Sequence, residues 1–119
     1  MTGPRRMLIV EDEPAISLAL EDIVESLGWV SVGFAARVQQ GIALAQSCAP
    51  DMAILDVNLH GELSYPIADV LADNGVPYIF ATGYGDTEHP ARHREVVTLT
   101  KPYTLNDVRA AIARAVPKA

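Results

Sequence analysis

Two apolar runs in this chain stop at acids: MLIV (7–10) at Glu11, Asp12 and Glu13, and MAIL (52–55) at Asp56. A third run, YIFA (78–81), ends at Thr82, and a fourth, VTL (97–99), is followed closely by Lys101 and Pro102. Carboxylates brought together repel: two unit charges ~4 Å apart at an effective dielectric of ~20 cost about 4 kcal/mol. Such a site takes up a proton or a cation. Oxygen donors without His or Cys select a hard ion, so Mg2+ is the natural candidate. With a hydroxyl and an ammonium beside it, the set suits phosphoryl groups. An Asp carboxylate can be the nucleophile and form an aspartyl phosphate. The metal and lysine then neutralise the phosphoryl oxygens, and the threonine hydroxyl adds a hydrogen bond.

That chemistry requires the strand ends to meet. Five short apolar runs alternate with helical patterns, which reads as strands at Met7–Val10, Val30–Phe34, Met52–Leu55, Tyr78–Ala81 and Val97–Leu99. Several lack in/out alternation, as strands buried on both faces do. A first helix is expected over Pro14–Leu27, with Ile16, Leu20, Ile23, Val24 and Leu27 in one stripe and Gly28 as its stop. A second covers Val38–Cys48 before APD, and a third covers Tyr65–Asp73 before NG. The last starts at Thr104, where TLND reads as a capping box, and turns Leu105, Val108, Ile112 and Ala115 inward. The stretch GYGDTEHPARHREV (83–96) is rich in breakers and charge, so a loop with at most a short helix is expected there.

The alternation predicts an α/β fold: a doubly wound, five-stranded parallel sheet with helices on both faces. The flavodoxin-like order 2-1-3-4-5 fits, with a shortened or irregular fourth helix. In that order the ligand crevice lies at the carboxyl ends, near the switch point between strands 1 and 3. The four strands that end in polar groups are then the four that lie side by side. Strand 2, which ends in FAAR, is the outer one. The 119 residues suit one domain with one core, spanning 1–119 with no room for a second.

Nine basic against fifteen acidic residues give a net charge of −6, which argues against nucleic acid or an anionic membrane surface as partner. Cys48 is the only cysteine, so an intramolecular disulfide and a Cys-rich zinc site are excluded. No apolar run is long enough to span a bilayer, and only four apolar residues follow the basic MTGPRR, too few for a signal peptide. A cytoplasmic protein is expected. His60, His89 and His93 are scattered over loops without ligand spacing and read as surface histidines; PARHR (90–94) reads as a solvated loop.

Taken together, VEDEP (10–14), ILDVNL (54–59), FATG (80–83) and TKPY (100–103) resemble the receiver domain of two-component response regulators, in the right order and across nearly the whole chain. The resemblance implies that Asp56 is the phosphoacceptor, taking its phosphoryl group from a phosphohistidine on a sensor histidine kinase or phosphotransfer protein. It implies Mg2+ bound by Asp12 and Asp56, by Glu11 mainly through water, and by the backbone carbonyl of Asn58. Thr82 becomes the switch hydroxyl, with Gly83 beside it, and Lys101 contacts the phosphoryl group. The Lys101–Pro102 peptide is expected to be cis. Asn58 and Tyr84 occupy the two positions that tune hydrolysis of the phosphoryl group. No enzymatic activity is implied beyond transfer to Asp56 and its hydrolysis.

PYIFATGYG (77–85) and GELSYPIAD (61–69) also resemble the FATGUY subgroup of receivers, which is similar to stand-alone alphaproteobacterial regulators paired with kinases of the HWE or HisKA2 type. Output would then pass through a downstream protein. Departures from the wider family are Thr98, where an aromatic switch residue is usual, and Gly83, where Ala is commoner. Tyr84 is expected to replace the missing aromatic as phosphorylation orders the loop. The rival readings fare less well. A non-phosphorylated pseudo-receiver would not need the full acid–Asp–Thr–Lys set. A haloacid-dehalogenase-type phosphatase wants a second Asp where Asn58 stands. A flavodoxin-like cofactor module wants Ser, Thr and Gly where EDEP stands, and a cobalamin module wants His two residues past the Asp.

Overall fold

The computed structural model describes residues 5–83 and 89–116. Its main sheet holds β1 (Arg5–Val10), β2 (Trp29–Ala35), β3 (Met52–Asp56), β6 (Tyr78–Thr82) and β7 (Thr98–Thr100). All neighbours pair in parallel, in the order β2-β1-β3-β6-β7. This is the expected 2-1-3-4-5 arrangement. Strands β4 (Asn58–Leu59) and β5 (Glu62–Leu63) form a small antiparallel hairpin after β3 that the periodicity did not reveal. Two-residue strands are too short to carry a pattern.

Successive residues of β1 enter opposite cores. Met7 and Ile9 join Leu20 and Val24 of α1 (Pro14–Ser26) and Val108 and Ile112 of α4 (Leu105–Ala115). Leu8 and Val10 join Val38 and Ala45 of α2 (Val38–Ser47) and Ile67 and Leu71 of α3 (Tyr65–Asp73). Both faces of the strand are covered, so in/out alternation has no solvent side to report. Trp29 begins β2 and is buried in the core under α1 and α4, with the Arg5 guanidinium 5.5 Å from its ring.

Helix ends follow local chemistry. Gly28, just past the end of α1, has φ +90°, a conformation that side chains resist. Thr104 Oγ1 accepts from the Asp107 N–H at 3.2 Å, and Asp107 Oδ2 accepts from the Thr104 N–H at 2.8 Å, closing the capping box. Glu13 is the N-cap of α1, with extended backbone.

Among the described residues between β6 and β7, the helical structure is one 3-10 turn, Ala91–His93. The three histidines do not all lie at the surface. His60 is exposed, but His93 is 1% exposed and His89 is half-buried. Both rings pack against Phe80, His89 at 4.4 Å and His93 at 5.8 Å between centroids, where Tyr65 and Tyr78 supply hydroxyl partners. The segment lays its side chains directly onto β6 and α3. Arg92 within PARHR is likewise engaged, pairing with Asp69 and Asp73 of α3.

Candidate functional site

Sheet register brings the polar strand ends to one level. Val10 pairs with Leu55, Asp56 with Ala81, and Thr82 with Thr100. The ladder continues one step, because the Lys101 N–H donates to the Thr82 carbonyl at 2.8 Å. Glu11, Asp56, Thr82 and Lys101 therefore emerge side by side. Carboxylate oxygens of Glu11, Asp12 and Asp56 lie within 4.8 Å of one another. Lys101 Nζ sits 2.9 Å from Glu11 Oε1 and 3.0 Å from Asp56 Oδ2. Glu11, Asp56 and Thr82 are buried, while Gly83 is exposed. The Lys101–Pro102 peptide is cis.

Burial dominates the titration of Glu11. It outweighs the hydrogen bond from Lys101 and, with the Asp56 charge, pushes the carboxyl up to about 7. Burial also works against the Lys101 ammonium, but its bonds to Glu11 and Asp56 prevail and hold it up at about 12. The pair is lopsided: the lysine stays charged, while one cation shared between two acids leaves Glu11 on the verge of protonation. For Asp12, burial is overcome by hydrogen bonds from Glu11 and from the His60 N–H, and the carboxyl is held below the usual range. Three clustered oxygen donors with unspent negative charge fit a hard divalent cation such as Mg2+.

Two contributors escaped the sequence reading. The His60 amide donates to Asp12 Oδ2 at 2.9 Å, and His60 has φ +51°, so the turn at His60 and Gly61 aims this amide at the acid. The HG dipeptide was the available signal. Tyr103 follows the cis-proline. Burial, with the Glu11 charge behind it, pushes its hydroxyl up to about 12. Beside it, a groove of about 520 Å³ runs between α1, through Ala15, Ile16, Ala19 and Ile23, and Lys101, Pro102 and Gly83. Asn58 lies in the hairpin, its Oδ1 accepting from the Gly61 N–H at 2.7 Å. Tyr84 lies outside the described residues.

The sequence matches the model of the response regulator receiver domain over residues 7–113. This chain belongs to the receiver family. Receivers are modules of two-component signalling, and they typically hold Mg2+ at an acidic pocket of this kind. The receiver is 42% identical to SdrG from Sphingomonas melonis Fr1, covering 95% of this chain and 97% of that one with a TM-score of 0.83. A BeF3-activated conformation of SdrG from Pseudomonas melonis Fr1 matches at 40% identity and a TM-score of 0.79, over 95% of this chain and 97% of that one. The PhyR receiver domain of Erythrobacter litoralis is 34% identical, with 98% and 97% covered and a TM-score of 0.80. The transcriptional regulatory protein PdtaR of Mycobacterium tuberculosis is 30% identical over 97% of this chain, which spans 58% of PdtaR. Among the described residues no helix is long and apolar enough to cross a membrane.

Proposed function

We propose that this receiver accepts a phosphoryl group on Asp56 from a phosphohistidine of a sensor histidine kinase or phosphotransfer protein, and signals through protein–protein contacts as a stand-alone regulator. The observation that carries this reading is the position of Lys101 Nζ, bridging Glu11 and Asp56 at 2.9 and 3.0 Å. An Asp56 oxygen attacks phosphorus, the P–N bond breaks, and its electron pair leaves with the imidazole of the donor. Lys101 and Thr82 stand beside Asp56 to receive the phosphoryl oxygens. Glu11, Asp12, Asp56 and the Asn58 carbonyl would hold Mg2+, which supplies charge neutralisation to the transferring group. The groove between α1 and Lys101–Tyr103 leaves an apolar approach for the donor beside the site. A phosphoryl group adds about −1.5 to −2 charges and three acceptor oxygens, enough to draw Thr82 and Lys101 inward and bias the segment that follows Gly83. The BeF3-activated form of SdrG, 40% identical, supports a phosphoryl-driven response.

The test is intact mass after incubation with Mg2+ and acetyl phosphate or phosphoramidate. Gain of one phosphoryl group by wild type and none by Asp56→Asn is the expected result. No gain, together with no spectral response to Mg2+ and beryllofluoride, would replace this reading with a pseudo-receiver that keeps the fold alone.

A further inference from the structure

His89 bonds two elements at once. Its Nδ1 lies 2.8 Å from the Tyr65 hydroxyl at the start of α3, and its Nε2 lies 2.9 Å from Thr98 Oγ1 on β7. Thr98 Oγ1 in turn donates to the Val96 carbonyl at 3.3 Å. A threonine has one hydroxyl proton. If it goes to Val96, Oγ1 must accept from His89, so Nε2 carries the imidazole proton. In a neutral imidazole Nδ1 is then bare and accepts from the Tyr65 O–H, and no other neutral proton order makes all three bonds; an imidazolium would instead donate to Tyr65. The ring is half-buried, tilted over Phe80 at 4.4 Å and edge-on to Tyr65 at 5.7 Å. Burial and the neighbouring His93 both lower its basicity, in keeping with the neutral form. His93 has its own partners, Tyr78 and Asp69, and does not compete for Tyr65 or Thr98.

We propose that His89 is a positioning residue: an Nε2–H clasp between Tyr65 and Thr98 that fixes β7 against α3 and so holds Lys101, three residues past Thr98, at the spacing from Thr82 that one phosphoryl group needs. His89 lies six positions after Gly83, and Thr98 three before Lys101. The clasp touches none of the three carboxylates. This consequence rests on the phosphoacceptor reading, but the clasp itself does not.

Two measurements on the full chain test it. Imidazole 15N shifts of the protein alone should show His89 as the Nε2–H tautomer, with Thr98→Val altering the Nε2 shift and Tyr65→Phe the Nδ1 shift. An Nδ1–H tautomer overturns the clasp. Titrations of wild type and His89→Phe, which keeps a ring over Phe80, should then separate. Mg2+ alone should bind both equally. Beryllofluoride with Mg2+ should bind His89→Phe about fivefold more weakly, the scale of one net hydrogen bond. Thr98→Val should add little to that loss. Equal weakening of both ligands would mean a merely structural role and overturn the proposal, as would no weakening of either. Wild type that ignores beryllofluoride would sink the phosphoacceptor reading and the positioning role with it, while the tautomer still reports on the clasp.

Discussion

Lys101 Nζ lies 2.9 Å from Glu11 Oε1, so an ammonium occupies the negative space between the ends of β1 and β3. A metal ion and the ammonium compete for the same carboxylates. Lys101→Met should therefore bind Mg2+ more tightly by severalfold in calorimetric titration. Its uptake of beryllofluoride should fall by tenfold or more, since a charge-assisted hydrogen bond is worth about 1.5–3 kcal/mol. Parallel loss of both affinities would contradict this division of roles.

Glu11 sets a pH dependence. Its carboxyl sits at about 7 in the fold against 4.5 for the free group. An acid with a raised folded pKa stabilises the protein in its protonated form, fully below the unfolded value, and that stability is lost as pH rises through the folded one. In the absence of Mg2+, wild type should lose up to about 3 kcal/mol relative to Glu11→Gln across this window. Urea midpoints of the two proteins at either end of the window give the difference directly. Asp12 and His89 act in the opposite sense: their pKa values are lowered, so their contributions fade as pH falls. The comparison with Glu11→Gln is what isolates Glu11.

His93 is 1% exposed, with Tyr78 Oη at 2.6 Å from Nδ1 and Asp69 Oδ1 at 2.8 Å from Nε2. Tyr78→Phe strips one ring nitrogen of its partner inside the protein and should cost about 1–2 kcal/mol in urea unfolding. Combining it with His93→Leu should cost less than the sum of the two single changes, because an unpartnered buried group is worse than an apolar one.

Gly41 of α2 faces Ile67 of α3. A Cβ built there runs into the Ile67 side chain, which is fully buried. Gly41→Val should destabilise by about 1–3 kcal/mol through overpacking. Neither Gly41 nor Ile67 contributes a carboxylate to the acidic cluster, so Mg2+ affinity should be retained. A Val variant as stable as wild type would show that the Ile67 side chain turns aside at no cost.

The alternation of runs such as MLIV and MAIL with amphipathic stretches was enough to determine a parallel α/β sheet, because strands buried on both faces and helices with one apolar stripe pack in few ways. The residue types at the strand ends likewise determined what chemistry the crevice can hold. Tertiary structure alone decided the rest. Register, which a run of uniform apolar residues does not encode, put Lys101 between Glu11 and Asp56 and left Glu11 half-titrated near neutrality. The β4–β5 turn, too short to leave a pattern, aimed the His60 amide at Asp12. The histidines looked superficial because they sit in a polar, breaker-rich stretch. They are drawn inward because Phe80, Tyr65 and Tyr78, distant in sequence, meet beneath them, and only the folded sheet brings those rings to one place.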